Sequence, residues 1–527
     1  MLRYTFSNNG SGRPYSRENL VSFRSKDNAC VVLDDCRVVF ASETERFTKV
    51  KHDFSEPIWP FNAFQESFKE KRSQEKLEHL HAEVVERNHH ENHIFEAFYQ
   101  SGFKESAVLV NDGFGNLSDS VTLAYMVEGQ DPVILRKFSA DTSLCMVYAN
   151  ASSELFAEDN SEGKFMGLAA YGQNNSREYI RWDDSRQDVV ADKKGVITDI
   201  NRTFDFVKSK DRDVMQARDI AYTVQKNFED TIVEIVKYFK SLLEQRGLHT
   251  DNLCMSGGGI LNCPTNSRIV DLGLFEHYYA SPQPCDGCAE SVGKLLRNMH
   301  FSGEKLTSSR LETSYLGRTY ERDDATSPCE WIDDYKRALV NDLKQGTVIA
   351  WYQGGAEYGP RALGHRSFLA DPSKKEMLDA LNRIKARAWW RPLAPIVPEE
   401  LFTRVFEVEN TDMCEFMLRT LKIKERWQPR LQAVCHTDGT TRPQLLKRDV
   451  NPQLYDLLMM YFEETHIPCL VNTSLNINGF PIVETPRDLC NLGEEVYYME
   501  DIPKVKTVFI EDNGAFEVIP PAEGIDE

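Results

Sequence analysis

The sequence contains no run of about 18 uncharged apolar residues, the length that a membrane-spanning helix requires, so no transmembrane segment is predicted. The N-terminus MLRYTFSNNGSGRPYSREN has neither an apolar core nor a small-residue cleavage site, which argues against secretion. Twelve cysteines are scattered among 527 residues, a pattern typical of reduced thiols rather than a disulfide framework. We therefore expect a cytoplasmic protein with no membrane partner.

Basic residues are also in deficit. The 62 Lys and Arg residues against 82 Asp and Glu give a formal net charge of -20, which disfavours a surface that coats nucleic-acid phosphates. A local basic pocket for a small anion stays open, because net charge does not describe a single cleft. The chain shows no repeat with a period of roughly 20–50 residues, and its length predicts about two to four domains.

Hydrophobic patterns in the first part of the chain predict a few short elements. Residues 28–39 predict a β-hairpin, and residues 66–100 predict a charge-rich helix that stops at Gly102. The apolar run Ala107–Asn111 predicts a strand that enters a tight turn at the following Asp-Gly pair.

The longest predicted helix covers residues 212–246. Its apolar face consists of Ile220, Val224, Phe228, Ile232, Ile235, Phe239 and Leu242. Leu253–Met255 then predicts a buried strand. Residues 301–330 lack periodicity and predict a domain boundary, after which a second block of mixed helix and strand ends in a closing strand and an acidic tail.

Two histidines and two aspartates are candidate metal ligands. His89 and His93 stand four positions apart, so on a helix both imidazoles face one side and can share a divalent metal. A solvated helix face explains an isolated pair equally well. Asp112 follows a predicted strand, and Asp286 stands in the glycine turn PCDGC, where surface carboxylates are common. The CxxC of that turn has no partner pair, which excludes a structural zinc site.

The segment SGGGILN, residues 256–262, is a candidate phosphate loop. Glycines between a strand and a helix let backbone N–H groups approach phosphate oxygens, although a tight turn accounts for them as well. The segment matches neither GxGxxG nor GxxxxGK[ST], so neither a Rossmann dehydrogenase nor a P-loop enzyme is supported.

Cations lie near glycine turns in the C-terminal block, in EYGPRALGHRS (357–367) and HTDGTTR (436–442) and at Lys385, Arg387 and Arg391. In an otherwise acidic chain this pattern suits a pocket for a small phosphorylated substrate. Surface salt bridging is the rival explanation, and it is the one we favour for Arg387.

Taken in order, these motifs resemble the NodU/CmcH carbamoyltransferase family, whose members make carbamate esters on nodulation factors and antibiotics. The resemblance runs from about Asp27 to Asp501. Its most specific parts are EYGPRALGHRSFLADP (357–372), WWRPLAPIVPEE (389–400) and LVNTSLNINGFPIVETPRD (470–488). Supporting parts are ETERFTKVKHD (43–53), HHENH with VNDGFGN, GKFMGLAAYG (163–172) and SGGGILNC (256–263).

This resemblance implies an α/β and α+β enzyme in two parts. Residues 1–310 would form an actin-like ATPase-type domain similar to threonylcarbamoyl-transferring enzymes, and residues 346–527 a YrdC-like domain, joined by a linker over 311–345. The YrdC-like part would use carbamoyl phosphate and ATP to make carbamoyl adenylate. An acceptor hydroxyl would then attack the carbonyl at the N-terminal site, and AMP would leave.

The family's site residues carry over by motif. The divalent metal, iron(II) or magnesium, would be held by His89, His93, Asp112 and Asp286. The nucleotide would be contacted by Gly163, Lys164, Gly257, Gly258 and Asn262. Carbamoyl phosphate would be held by Arg361, Lys385, Arg442 and Asn478. An alcohol acceptor needs help to lose its proton, and the catalytic candidates by motif match are Lys51, Lys26 and His52.

Three features depart from the family pattern. Lys26 stands where relatives carry a histidine that lines the transfer site. The first 25 residues exceed the usual lead-in and are expected to cap the acceptor pocket. Asn478 stands where many relatives carry arginine, so we expect weaker binding of phosphate without loss of activity.

Two alternative functions remain from the sequence. A threonylcarbamoyl-type transferase acting on tRNA uses the same two folds, but the acidic chain has no basic stripe for tRNA. A non-catalytic ATP-binding sensor would need no carbamoyl-phosphate pocket. The acceptor is open between a small molecule, a sugar and a modified nucleobase. A homodimer is one expectation, because relatives often pair.

Overall fold

The computed structural model describes residues 2–6, 29–34, 36–43, 45–49, 77–79, 89–115, 118–204 and 213–519. The helices in these ranges are α1 Glu45–Thr48, α2 His89–Tyr99, α3 Leu144–Phe156, α4 Glu162–Ala169, α5 Lys193–Thr203, α6 Arg218–Gln245, α7 Cys263–Asp271, α8 Cys288–Phe301, α9 Tyr335–Lys344, α10 Glu376–Ile384, α11 Glu399–Val405, α12 Pro452–Thr465 and α13 Pro486–Tyr497.

The strands in the same ranges are β1 Leu2–Phe6, β2 Ala29–Asp34, β3 Arg37–Glu43, β4 Leu77–His79, β5 Glu105–Gly115, β6 Asp119–Val127, β7 Val133–Ser139, β8 Ile180–Asp183, β9 Asp188–Ala191, β10 Asn252–Ser256, β11 His277–Tyr279, β12 Cys329–Trp331, β13 Val348–Gln353, β14 Arg366–Ala370, β15 Ala394–Pro398, β16 Phe406–Glu407, β17 Leu421–Ile423, β18 Thr440–Thr441, β19 Gln444–Leu446, β20 Leu470–Ser474, β21 Val505–Glu511 and β22 Gly514–Val518. The chain is thus a mixed α/β protein.

The central sheet of the N-terminal part has the order β11-β10-β5-β6-β7. Strands β5, β6 and β7 form an antiparallel meander, whereas β10 and β11 continue the sheet parallel to β5. Ala107 and Leu109 on β5 belong to one core, and Val108 and Val110 belong to the core on the opposite face. Because both faces are covered, these four consecutive residues of the strand are all apolar.

Helix α6 confirms the long helix predicted from the sequence. It spans 28 residues. Six of the seven predicted core positions are buried, and Leu242 is partly buried against the same cluster. The helix ends where Gly247 adopts a φ of 66°, a conformation that glycine reaches without steric cost.

A larger sheet of order β12-β22-β21-β13-β14-β20-β15-β19 organises the C-terminal part. Its pairings are mixed: β13 runs parallel to β21 but antiparallel to β14. Helices α9 and α12 contact each other beside it. The span 311–345, proposed as a linker, contains β12 and α9, and Leu339, Val340 and Leu343 of α9 are buried in the C-terminal core.

The two parts share a core. Ile260 and Ile269, which follow the glycine run, belong to the same buried cluster as Trp390 and Leu418 of the C-terminal part. Hydrogen bonds reinforce this contact, because the Asn266 side chain donates to the Leu418 carbonyl at 2.8 Å. The loops of the two parts are therefore held against each other by packing.

The predicted hairpin at residues 28–39 is confirmed by β2 and β3, which pair antiparallel. β1 pairs with β2. Residues 2–6, part of the segment expected to cap the acceptor pocket, therefore belong to a sheet; the other residues of that segment lie outside the described ranges.

Two local predictions are wrong. Within the predicted helix 66–100, Leu77–His79 is a strand paired with β1, and α2 covers only His89–Tyr99 of the described residues. The predicted turn after Ala107–Asn111 is absent, because β5 continues to Gly115 through an irregular register opposite β6. Long-range strand pairing overrides the local signals in both places.

No helix among the described residues is long and apolar enough to span a bilayer.

Candidate functional site

Helix α2 presents two histidines on one face, as the spacing predicted. The ring centroids of His89 and His93 lie 4.7 Å apart, and both side chains are largely buried, with exposed fractions of 11% and 0%. A solvated helix face is therefore wrong as an explanation of this pair. The two imidazoles meet inside the protein, at the carboxyl ends of β5 and β10.

Asp112 and Asp286 complete the cluster. His89 Nε2 lies 2.8 Å from Asp112 Oδ2 and 3.3 Å from Asp286 Oδ1, and His93 Nε2 lies 3.3 Å from the same Asp286 oxygen. All four donor atoms lie within 4.8 Å of one another. Ligands bound about 2.1 Å from one ion are spaced about 3 Å apart, so the geometry fits a divalent metal.

The second nitrogen of each imidazole is also held. His93 Nδ1 lies 2.8 Å from Ser256 Oγ, at the end of β10. His89 Nδ1 lies 3.6 Å from Glu290 Oε1 on α8. Partners of this kind fix the orientation of metal-binding histidines, and they leave both Nε2 atoms facing the carboxylates.

Electrostatics in the cluster follow from its burial and its close carboxylates. Burial opposes a charged imidazole, but Asp286 and Asp112 hold the pKa of His89 well above its usual value. Burial likewise opposes ionisation of Asp286, yet His89 and His93 hold the pKa of that carboxyl well below its usual value. Burial raises the pKa of Glu96, one turn beyond His93, to about 7.

The glycine run is built into the candidate metal-ligand cluster. The Gly258 N–H donates to Asp112 Oδ1 at 3.2 Å. A Cβ on Gly257, whose φ is 96°, would lie 2.4 Å from the Asn111 carbonyl oxygen. The Gly257 N–H donates to the Pro284 carbonyl at 2.7 Å, which ties the run to the loop that carries Asp286. The glycines therefore allow β5, β10 and that loop to approach closely.

Two of the other residues proposed for the nucleotide, Asn262 and Lys164, have partners within the protein. Asn262 caps the N-terminus of α7 and exchanges two side-chain hydrogen bonds with Gln225, at 2.8 and 3.1 Å. Lys164 pairs with Glu158. Gly163 is exposed on α4, with no atom within 4 Å of a Cβ placed there.

Helices α2 and α8 make an unusually close contact beside the histidines. A Cβ on Gly293 of α8 would lie 1.8 Å from the carbonyl oxygen of Asn92 on α2. Only glycine permits this approach, because the obstructing atom is backbone. The contact holds the helix carrying both histidines against the helix carrying Glu290.

Four arginines form a cluster where the C-terminal part meets the N-terminal part: Arg361, Arg387, Arg391 and Arg442. Burial and the charge of Arg442 lower the pKa of Arg361 to about 10. Burial, with Arg391 and Arg442, lowers the pKa of Arg387 to about 9. Like charges held together in this way are typical of an anion-binding site.

Partners for these charges are few among the described residues. The Nε atoms of Arg361 and Arg442 are buried without a hydrogen-bond partner there, as is Nε2 of His436.

The expectation that Arg387 forms a surface salt bridge is wrong, because its guanidinium donates to the Asn382 side chain and to the Pro392 carbonyl.

Lys385 and Asn478 belong to one loop system. Lys385 is buried, and its Nζ donates to Ser474 and to the Asn476 carbonyl and side-chain oxygens, both at 2.8 Å. The Asn478 N–H donates to the Lys385 carbonyl at 2.9 Å, and the Asn478 side chain is exposed. Lys385 thus holds the loop that carries Asn478.

The loops that carry the candidate metal ligands and the arginine cluster meet at one contact. A Cβ on Gly359, with φ of 104°, would lie 2.5 Å from the Pro282 carbonyl oxygen. The loop that leads to Asp286 therefore lies directly on the loop that leads to Arg361. Arg46, only 2% exposed, donates to the Gly359 carbonyl at 3.0 Å.

The three catalytic candidates, Lys26, Lys51 and His52, lie outside the described residues.

Several residues at these sites were not identified from the sequence. Glu96 stands three positions after His93, and that helical spacing is a signal for the same face. Ser256 ends an apolar strand next to the glycines. Arg46 stands within the ETERFTK motif, and no contact of this motif was predicted from the sequence. Nothing local separates the half-buried Arg387 from a surface arginine.

Two family models match the chain: Carbamoyltransferase N-terminus over residues 63–293 and Carbamoyltransferase C-terminus over residues 340–502. Nodulation protein NolO of Bradyrhizobium diazoefficiens is 31% identical over 422 residues, which cover 76% of this chain and 75% of NolO. The chain belongs to the carbamoyltransferase family and is a transferase enzyme, which confirms the resemblance drawn from the motifs.

Other relatives share shorter or less similar regions. Nodulation protein NolNO of Sinorhizobium fredii is 29% identical, over 76% of this chain and 60% of its own length. The 3'-hydroxymethylcephem-O-carbamoyltransferase of Streptomyces clavuligerus is 33% identical over 245 residues, which cover 46% of each chain.

Two solved structures match parts of the chain with low TM-scores. HypF of T. kodakarensis matches 47% of this chain and 39% of its own, with a TM-score of 0.25 and 12% identity. Component A of the Acidaminococcus fermentans (R)-2-hydroxyglutaryl-CoA dehydratase matches 52% of this chain and 93% of its own, with a TM-score of 0.27 and 12% identity.

Proposed function

We propose that the protein is an ATP-dependent O-carbamoyltransferase that makes a carbamate ester on an acceptor hydroxyl through carbamoyl adenylate. Carbamoyl phosphate would lose its phosphate to water, and the resulting carbamate oxygen would attack the α-phosphorus of ATP, releasing pyrophosphate. The acceptor hydroxyl would then attack the carbamoyl carbon. AMP would leave with the C–O bond electrons, and the hydroxyl proton would be released.

The observation that carries this proposal is the junction of two sites of opposite chemistry. One is the metal-ligand cluster around Asp286, and the other is the arginine cluster around Arg361. The contact between Pro282 and Gly359 places them on adjoining loops. An enzyme that handles a phosphorylated donor and an activated carbonyl needs both an anion pocket and an electrophilic centre.

His89, His93, Asp112 and Asp286 would hold the divalent metal, iron(II) or magnesium. When bound, such an ion stabilises negative charge on a carbonyl or phosphate oxygen. Two imidazoles and two carboxylates would leave coordination positions open for substrate oxygens. The donor set favours iron(II), because magnesium prefers oxygen ligands.

The chain's own cations would orient the donor. Arg361 and Arg442 offer buried, unpartnered N–H groups, and bidentate guanidinium contacts suit phosphate oxygens. Arg387 and Arg391 add charge to the same cluster. Lys385 would act by holding the loop that carries Asn478, which is proposed to contact carbamoyl phosphate.

We propose an actin-like fold for the N-terminal part and a YrdC-like fold for the C-terminal part. The meander β5-β6-β7, extended by the parallel strands β10 and β11, supports the first assignment. ATP would lie near the glycine run, where Gly257 and Gly258 present backbone without side chains; Gly163, Lys164 and Asn262 complete the proposed nucleotide contacts.

Carbamoyl-phosphate-dependent exchange of labelled pyrophosphate into ATP tests the reaction. Wild-type protein supplied with iron(II) or magnesium should catalyse exchange. Arg361→Gln should lose exchange, because the guanidinium would no longer hold the donor. His89→Ala should keep exchange and lose transfer to an acceptor, which would separate the two half-reactions.

Arg186→Gln is the matched control, since the Arg186 side chain is 76% exposed and pairs with Asp183, which belongs to neither cluster. Exchange equal to wild type is expected in that variant. Absence of exchange in the wild type with metal supplied would overturn the proposal.

For the acceptor we propose a hydroxymethyl-bearing small molecule. The cephem carbamoyltransferase is named for a 3'-hydroxymethyl acceptor, and it aligns with nearly half of this chain. A tRNA acceptor is disfavoured by the net charge of -20. Transfer of labelled carbamoyl groups to a panel of primary alcohols, sugars and hydroxymethylated nucleobases tests the class. From the cysteine pattern alone we also propose a cytoplasmic location, and from the resemblance a homodimer.

A further inference from the structure

A buried hydroxyl connects one candidate metal ligand to a carboxylate that is not a ligand. Ser256 Oγ lies 2.8 Å from His93 Nδ1 and 3.0 Å from Glu96 Oε2. Ser256, His93 and Glu96 each have an exposed fraction of 0%. The three groups therefore form a line inside the protein that begins at the metal-ligand cluster and ends in the core.

The protonation of His93 determines which groups donate and which accept hydrogen bonds along this line. His93 Nε2 faces Asp286, so it must carry the lone pair if it is to bind a metal, and Nδ1 must then carry the proton. Ser256 Oγ accepts that N–H. The single hydroxyl proton of Ser256 is left to donate either to Glu96 or to the Pro284 carbonyl at 3.2 Å.

Both of these acceptors bear on the metal site. Donation to Glu96 makes Ser256 a better acceptor for the imidazole N–H, because a carboxylate polarises the hydroxyl. Glu96 is itself held, since the Gln100 side chain donates to its other oxygen at 3.3 Å. Pro284 lies two residues before Asp286, so the alternative donation fixes the loop of the opposite ligand.

We infer that Ser256 and Glu96 are positioning residues for the metal centre: the Glu96–Ser256–His93 line fixes the tautomer and the ring orientation of His93. This inference rests on the metal centre of the proposed function. It assigns no contact between Ser256 or Glu96 and substrate. Loss of such an outer partner commonly weakens metal binding about 10- to 100-fold.

Titration of metal-free, full-length protein with Co²⁺ tests the inference, since the visible spectrum of the bound ion reports both affinity and ligand arrangement. Ser256→Ala should raise the Kd for Co²⁺ by about 10- to 100-fold. Glu96→Gln should raise it less, because Ser256 still accepts from His93, but should shift the visible bands.

Ser106→Ala is the matched control. Ser106 is a buried serine on β5 that donates to the Ala107 carbonyl at 2.7 Å and contacts β10 at its opposite end. Its removal should leave the Kd and the spectrum of wild type unchanged, while lowering the melting temperature of the metal-free protein about as much as Ser256→Ala does.

Equal Co²⁺ affinity in Ser256→Ala and wild type would overturn the inference, and so would an unshifted spectrum in Glu96→Gln if Ser256→Ala does not fold. Absence of Co²⁺ binding to the wild type would overturn it together with the metal centre. The titration uses neither ATP nor carbamoyl phosphate, so its result is distinct from success or failure of the transfer reaction.

Discussion

The guanidinium of Arg46 donates a hydrogen bond of 3.0 Å to the backbone carbonyl of Gly359. Glu43, one turn before Arg46, lies 3.8 Å from the same guanidinium and binds Gln283 at the start of the loop that leads to Asp286. The ETERFTK motif therefore touches both halves of the proposed site. Its residues hold the metal-side loop and the anion-side loop in one arrangement.

Replacement of Arg46 should damage both halves at once. Arg46→Gln would leave Glu43, Glu357 and Glu484 without the cation that they surround, and loss of one partner from a buried charge cluster costs about 3–5 kcal/mol. Thermal unfolding should show a lower melting temperature, and the KM for carbamoyl phosphate should rise. The exposed Arg37 provides the control, since Arg37→Gln should change neither quantity.

The helix contact at Gly293 should resist any side chain. Gly293→Ala forces a methyl group toward the Asn92 carbonyl and should cost about 1–3 kcal/mol, the usual penalty of overpacking. Since α2 would be displaced, the affinity for Co²⁺ should fall too.

Gly493→Ala tests whether that effect is specific to the contact. Gly493 is also helical, but the nearest atom to an added Cβ is the Thr507 hydroxyl at 3.1 Å, at the end of a side chain that can rotate. This variant should keep the metal affinity of wild type. Equal losses in both variants would contradict the explanation.

His365 should make the protein sensitive to acid. Burial lowers the pKa of His365 to about 4, and its ring stacks on Tyr315 with centroids 3.4 Å apart. The unfolded chain takes up a proton below about pH 6.5, whereas the folded chain does not do so until about pH 4. The contribution of the neutral ring to the free energy of unfolding is therefore complete above pH 6.5. It falls by about 3 kcal/mol as the pH falls to 4.

Melting temperatures of wild type and His365→Gln between pH 7 and 4.5 measure that contribution. The advantage of wild type should shrink as the pH falls. His277→Gln, at an exposed histidine, should show a constant difference from wild type. A difference for His365→Gln that is also constant would mean that the ring does not stay neutral in the fold.

Inorganic phosphate should stabilise the protein through the arginine cluster. An anion that binds only the folded state raises the melting temperature with concentration, and repulsion among Arg361, Arg387 and Arg442 would be relieved. Arg442→Gln should reduce the phosphate-dependent rise while leaving the ligand-free protein as stable as wild type or more so. An equal rise with chloride at the same ionic strength would point to screening instead.

A single added charge should improve donor binding. Asn478 is exposed on the loop that Lys385 holds, so Asn478→Arg can be accommodated without repacking. The KM for carbamoyl phosphate should fall several-fold, since a charge pair at an exposed position is worth about 0.2–1 kcal/mol. Asn478→Gln should match wild type. An unchanged KM in Asn478→Arg would show that position 478 does not face the donor.

Sequence patterns identified the parts of the site that local spacing defines. The pair His89 and His93 follows from helical periodicity, and α6 follows from its repeated apolar face. Asp112 and Asp286 were each recognisable only as turn carboxylates. The structure shows that they converge because β5, β10 and β11 run parallel and the loop after β11, which carries Asp286, is bonded to the glycine run after β10. Spacing along the chain cannot report that convergence.

Contacts made only in the folded chain could not be predicted from the sequence. The turn predicted at Asp112 failed because pairing with β6 extends β5 to Gly115, which no local signal reports. Arg387 was expected at the surface because an arginine looks the same in sequence whether solvent or protein surrounds it. Its partners Asn382 and Pro392 each lie five residues away along the chain, and only the folded loop turns the guanidinium toward them.

The close approach at Gly293 also limits how this protein can diverge. Most steric conflicts in a core can be relieved by a smaller residue at the partner position, which lets the two positions change together. Here the obstructing atom is the main-chain oxygen of Asn92, and every amino acid supplies that oxygen. No substitution at position 92 can compensate for a side chain at position 293, so we expect glycine to be the one residue tolerated there.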